Sequence, residues 1–300
     1  MTQLRPLLLA AVLLLSASSC SKFSLYLSLV HTVWDQSSDT QTARICFTDD
    51  KHVSIIQHVY ADGRTLASNG VYSADGHEVL CYNPNGEGNT VKFIRTFSHL
   101  KNTSNKNLAG LPLRAHQTLA GSVWATALDR DLLLAYFPED GRCLYGRYRN
   151  VDSYGGWQFS ANSCRQDGYR LYASHGAGAE TTAFLYEDVM LVDSLGVLRT
   201  SPAVQSEAQN AYARTLWVSR SGQPRLLIFT SAGHFTHLDA AMQSIQGLNR
   251  VMYIVTAGTY TASGNELHLQ REDGTPVTCQ VASNQLTYQG EAYVPADVRL

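Results

Sequence analysis

Charge is scarce in this chain. Asp, Glu, Lys and Arg make up 16% of its 300 residues and leave a formal net charge of −2. With no run of Lys or Arg, the sequence offers no basic field to nucleic acid or to an anionic membrane surface, and neither is expected as a partner. Long apolar runs are also lacking: the longest, Leu7 to Leu15, is nine residues, against the roughly 20 needed to span a bilayer. No stretch is polar or repetitive enough to be disordered, and a hydrophobic fraction of 44% suits a globular body. The signatures of common enzymes are missing as well. There is no Gly-x-Ser-x-Gly elbow, phosphate loop, His-Glu-x-x-His helix or dinucleotide fingerprint, and no cofactor or metal is called for.

What is present begins at the N-terminus. Arg5 precedes Leu7 to Leu15, and the small residues Ser16-Ala17-Ser18-Ser19 precede Cys20, the layout of a secretory leader over residues 1–19. A Cys behind small residues resembles the lipobox of bacterial lipoproteins, which implies cleavage before Cys20 and acylation of its sulfur; ordinary cleavage nearby is the alternative. Ser21 resembles the residue that sends such proteins to the outer membrane, so the expected location is the bacterial cell envelope, anchored to outer-membrane lipid, with either face open.

The body repeats itself three times. Trp34 is followed by Phe47 at the end of Arg44-Ile45-Cys46-Phe47, Trp124 by Phe137 at the end of Leu133-Leu134-Ala135-Tyr136-Phe137, and Trp217 by Phe229 at the end of Leu226-Leu227-Ile228-Phe229. The Trp residues stand 90 and 93 positions apart. Downstream, Val71 to Cys81 aligns without a gap on Thr259 to Leu269. Repeat periodicity outranks local propensity, so the three Phe side chains are expected at equivalent buried positions.

Dense turn signals such as Asp75-Gly76, Asn85-Gly86, Asp140-Gly141, Asp167-Gly168 and Asp273-Gly274 separate short runs rich in Val, Tyr, Phe, Thr and Leu, and period-two alternation is clear in Glu266 to Gln270. The expected fold is all-β: three tandem antiparallel meander units over 20–101, 117–200 and 213–300. Asn102 to Asn107 and Thr200 to Asn210 mark the breaks. One helix is expected, Asp239 to Ile245, capped by Asp239 and stopped by Gly247, as an insertion that lengthens the Phe-to-aromatic spacing of the third repeat to 31 residues from 25 and 20.

The early Trp, the strand ending in Phe, Gly258-Thr259-Tyr260 with its following Gly264 and Leu267-His268-Leu269, and Gln285 to Tyr293 together resemble the lipocalin-like domains of lipoproteins from Bacteroides-type bacteria. The resemblance is best over Trp217 to Pro295 and weakest in the second repeat. It implies small barrels or half-closed sheets. Each Trp is expected to plug one end of its unit.

Chemistry-bearing residues are few. After Cys20 five cysteines remain, and an odd number cannot all pair. Cys46 and Cys81 fall where the third repeat has Ile228 and Leu269 and read as buried small hydrophobes; a bridge between Cys143 and Cys164 is a pairing that an oxidising envelope permits. His234 and His237 are metal-capable only on a helix or tight turn. Asp49-Asp50 and Glu187-Asp188 read as solvated turn acids, and Arg142 to Arg149 as a Tyr/Arg stripe on a strand. Asp193-Ser194-Leu195 resembles the sequence at which Bacteroides-type envelopes attach O-glycans, making Ser194 a candidate. The leading expectation is a non-catalytic envelope lipoprotein, a tandem lipocalin-like module that binds a small molecule, glycan or envelope protein; the alternative is a glycan-active envelope hydrolase with a site between repeats.

Overall fold

The computed structural model describes residues 26–298, apart from 85–89, 116, 154, 175–178, 202–209, 232 and 246–247. The leader and Cys20 therefore lie outside the described residues, as do Asn85-Gly86 and Gly247. Every regular element described is a strand.

The first eight strands are β1 (Thr32–Asp35), β2 (Gln41–Phe47), β3 (His52–Val59), β4 (Arg64–Asp75), β5 (Glu78–Tyr82), β6 (Val91–Arg95), β7 (Leu100–Lys101) and β8 (Asn107–Gly110). Each pairs antiparallel with the next, and β8 returns to β1 through Trp34 opposite Gly110. The next eight are β9 (Val123–Leu128), β10 (Asp131–Glu139), β11 (Arg142–Tyr148), β12 (Trp157–Asp167), β13 (Arg170–Ser174), β14 (Glu180–Leu185), β15 (Val189–Val192) and β16 (Leu195–Ser201), which close into a barrel through β16 against β9. The last are β17 (Thr215–Ser219), β18 (Arg225–Ser231), β19 (His234–Ile245), β20 (Leu248–Ser263), β21 (Glu266–Arg271), β22 (Pro276–Ala282), β23 (Gln285–Tyr288) and β24 (Glu291–Pro295), with β24 returning to β17.

All-β antiparallel architecture is thus what forms, but not as three separate units. The chain makes two sheets. The middle ring stands as its own barrel, while the first and third rings are joined edge to edge into sixteen strands where Leu66, Thr65 and Arg64 of β4 pair with Met252, Tyr253 and Ile254 of β20. The first break in patterning is also displaced, since Asn102 to Lys106 is a turn between β7 and β8 within the first ring.

The expected helix is absent: Asp239 to Ile245 is the second half of β19. It pairs residue by residue with β20, from His234 opposite Thr259 to Ile245 opposite Leu248. Leu238 and Ala240 belong to a buried core, Met242 packs against it, and Asp239 pairs with Arg225 at 3.1 Å instead of capping anything. The helix propensity of Ala-Ala-Met-Gln is a weak prior, and a complete ladder on a packed face outweighs it.

The repeats are equivalent at atomic detail around each Trp. Trp34 Nε1 donates to Thr32 Oγ1 at 2.9 Å, and that hydroxyl donates to Leu29 O at 2.5 Å. Trp124 uses Ser122 and Leu119, at 2.9 and 2.5 Å; Trp217 uses Thr215 and Tyr212, at 3.0 and 2.5 Å. The residue before each hydroxyl, His31, Gly121 or Arg214, has φ between 53° and 79°. Phe47, Phe137 and Phe229 are all buried, as the shared spacing implies.

Why the same apolar run recurs becomes clear from packing. Cys46, Leu134, Tyr136, Leu226 and Ile228 all enter one large cluster that draws on all three rings, while their neighbours Ile45, Phe47, Phe137, Leu227 and Phe229 fill the ring interiors. A strand buried on both faces reads as continuously hydrophobic. Polar ties cross the same interface: Tyr253 donates to Ala125 O at 2.9 Å, Tyr136 to Thr230 O at 3.0 Å, Tyr186 to His31 O at 2.6 Å, and the Arg44 guanidinium grips Asp188 with Nε at 3.0 Å and Nη2 at 2.6 Å from Oδ2.

Candidate functional site: a cavity in the middle barrel

An eight-stranded barrel is just wide enough to be filled by side chains or to hold one small ligand, so residue size inside each ring decides its use. The third ring is filled by Phe235, Tyr260, Tyr288 and Tyr293, and the first by Phe47, Phe93 and Trp34 with Tyr72 against them. In the middle barrel the corresponding interior carries Ala135, Ala173, Ala183, Cys143 and Cys164. The space left is a cavity of about 210 Å³, bounded by Phe137, Leu171, Met190 and Val197 among others, with Tyr145, Asn162, Thr181 and Asp193 also lining it.

The repeat alignment shows where the middle barrel departs from its sisters. Tyr72 and Tyr260 stand four residues before Gly76 and Gly264, the positive-φ glycines of the next turn, and each meets its Phe edge-on at 4.8 Å between ring centroids. Four residues before the equivalent Gly168 stands Cys164. Its cross-strand neighbour matches too: Val53 lies opposite Gly70, Phe235 opposite Gly258, and Cys143 opposite Asn162. Where the sister rings place a tyrosine beside a valine or phenylalanine, the middle barrel has two thiols. The spacings from Phe are thus 25, 27 and 31 residues, and Trp157, taken from sequence as the repeat-two aromatic, is not the counterpart of Tyr72.

Cys143 and Cys164 carry free thiols in this structure, as do Cys46, Cys81 and Cys279. The two are diagonal neighbours on one face of the β11–β12 pair, a relation that sets Cα atoms about 7–8 Å apart, at or beyond the separation a disulfide spans without backbone movement. Each thiol perturbs the other: contact with Cys164 lowers the pKa of Cys143, while Cys143 and burial together raise that of Cys164. Cys46 and Cys81 are buried as expected, and desolvation pushes the Cys81 thiol up to about 12.

A second, open cleft of about 480 Å³ adjoins the cavity across Phe137 and Leu171, with Cys164, Glu139, Asp140, Arg165 and Gln117 on its walls. Glu139 is engaged by Arg142 at 3.2 Å and Arg214 at 2.7 Å. Gln117 Oε1 is buried without a partner there.

The other candidates do not converge on this site. His234 and His237 sit three apart on a strand and so face opposite ways; buried His237 meets Tyr293 Oη at 2.9 Å through Nε2, and desolvation pushes its pKa down to about 4. Among the described residues no group of three or more His, Cys, Asp or Glu could hold a metal. Asp49 accepts from the Lys51 and His52 amides at 2.7 and 2.6 Å as a turn residue. Glu187 pairs with Arg114, and Asp188 with Arg44. The Tyr/Arg stripe divides between faces, for Tyr145 lines the cavity while Leu144 and Tyr148 enter the core between rings. Ser194 is half-buried in the turn between β15 and β16, whose exposed neighbour Asp193, at φ 48°, lines the cavity.

No family profile and no curated protein matches the sequence. Among solved structures, the chain is similar to a putative DNA polymerase III beta subunit from Eubacterium rectale at 8% identity and a TM-score of 0.13, covering 97% of this chain and 96% of that one. It is also similar to a DNA polymerase sliding clamp from Pseudomonas aeruginosa at 11% identity and 0.12, covering 91% and 93%. Because these neighbours are DNA polymerase clamps, the exclusion of nucleic acid drawn from net charge is withdrawn; overall charge rules out a uniform basic field and not a local one. At these TM-scores the likeness carries no argument for a fold or a role.

Proposed function

We propose that the chain is a non-catalytic lipocalin-like binding module of the bacterial envelope whose middle barrel takes one small apolar molecule. The observation that carries this reading is the small interior of the middle barrel, where Cys143, Ala135, Ala173 and Ala183 line about 210 Å³ of mostly apolar space. An apolar cavity of about 150 Å³ takes benzene. The present one therefore suits a substituted ring, with a polar group left at Tyr145, Asn162 and Asp193. The outer rings, plugged by their own aromatics, act as scaffold. The test is displacement of a naphthalene-type fluorophore by candidate ligands from the full chain, set against Cys143→Phe, which restores the residue that the third ring has at this position.

Acylation of Cys20 would hold this body near a membrane, since two or three chains at about 0.8 kcal/mol per methylene anchor in practice permanently. Replacing Cys20 by Ala should abolish fatty-acid labelling and leave precursor uncut; normal processing of that variant would remove the anchor from the proposal. Glycosylation at Ser194 would place a sugar beside the cavity, and a bare Asp193-Ser194-Leu195 peptide from native material would end that part.

A further inference from the structure

We propose that Cys143 and Cys164 form a two-thiolate site for a soft monovalent d10 cation, Cu(I) or Ag(I), in the wall of the middle barrel. Three observations carry it. The two side chains lie on the same face of the β11–β12 pair as diagonal neighbours, so a single ion placed between them reaches both. Neither thiol is there because the fold demands it: the sister rings build the same corner from Tyr72 with Val53 and from Tyr260 with Phe235. There is also a way in, because Cys164 lines the open cleft, whose wall bears the Glu139 and Asp140 carboxylates alongside Arg165, itself paired with Glu180 at 3.4 Å.

The donor set selects the ion. Zinc in structural sites takes four ligands in a tetrahedron, and no third His, Cys, Asp or Glu completes such a group among the described residues. Thiolates, with the thioether of Met190 in the same interior cluster, are the soft ligands that favour Cu(I). On binding, each thiol that ligates gives up its proton to solvent, and no electron is transferred.

The test is an anaerobic titration of the reduced full chain with Cu(I) against a chromophoric Cu(I) chelator, repeated on Cys143→Ser, Cys164→Ser and Cys164→Tyr. The last variant carries the side chain that both sister rings fold around, and far-UV circular dichroism checks all three. The wild type should withdraw one more equivalent of copper from the chelator than any of the variants, with a thiolate-to-copper absorption band that the variants lack, and Zn(II) should not displace it. Equal copper uptake by wild type and folded variants, no uptake by the wild type, or recovery of the two residues as a disulfide from the reduced preparation would each overturn the site.

Discussion

Ser122 Oγ accepts the Trp124 indole N–H at 2.9 Å and donates to Leu119 O at 2.5 Å, and the same three-atom relay recurs at Trp34 and Trp217 with Thr in place of Ser. The hydroxyl satisfies two polar groups at the end of a ring where water is excluded. Removing it leaves both unpaired, and a buried unsatisfied group costs about 1–3 kcal/mol. Ser122→Ala should therefore lower stability by about 2 kcal/mol in urea unfolding, whereas Ser122→Thr, the choice of the other two rings, should fall within about 0.5 kcal/mol of wild type. Equal losses for the two variants would show that the relay does not matter.

His237 gives the molecule a pH dependence whose sign follows from its environment. Burial, with Arg225 and Arg271 nearby and only Glu291 opposing them, holds the folded-state pKa at about 4, below the unfolded value of 6.5. Above pH 6.5 the group is neutral in both states and contributes nothing. As pH falls from 6.5 to about 4 the unfolded chain takes up the proton first, so stability drops by about 1.4 kcal/mol per pH unit, about 3 kcal/mol in all. His237→Gln, which can still bond Tyr293, should lose that fraction of the acid sensitivity. A variant as acid-sensitive as wild type would refute the assignment.

Gly196 lies where the middle barrel packs against the first ring, its amide donating to Ser54 Oγ at 3.0 Å. A Cβ there would stand 2.9 Å from Cys46 Sγ and 3.2 Å from Ile56 Cδ1, in a core shared by all three rings. Gly196→Ala should destabilise by about 1–3 kcal/mol through overpacking. Combining it with Cys46→Ala should recover part of that loss, because the two changes act on one contact; simple additivity of the two would contradict the packing described.

Much of this was legible in the sequence, and the failures have physical causes. The Trp and Phe spacing identified equivalent buried positions because core size repeats when the strand count repeats. The relay hydroxyl was visible as Ser or Thr two residues before each Trp, yet a single polar residue carries no meaning until its partners are known. The Cys143–Cys164 juxtaposition was legible, but not its diagonal register, which no composition reveals. Counting back four from the Gly of Asp167-Gly168 would have found Cys164 in the tyrosine position; the Gly156-Trp157 dipeptide, a glycine followed by an aromatic much as in the sister Gly-x-Tyr segments, drew the alignment aside. Asp239 to Ile245 looked helical because its alternation is masked by two adjacent alanines, and only the pairing with β20 decides it. That the rings fuse through β4 and β20 has no local signal at all, since the contact is three residues long.

The central claim is that the middle barrel keeps an open apolar cavity while its sisters are plugged, and equilibrium binding of a naphthalene-type fluorophore tests it most directly. The full chain should bind one fluorophore with a saturable, blue-shifted signal, and Cys143→Phe should fold with unchanged circular dichroism and lose that signal at least tenfold. Binding that survives undiminished in a folded Cys143→Phe protein, or no saturable binding by the wild type to any apolar probe of this size, would contradict it.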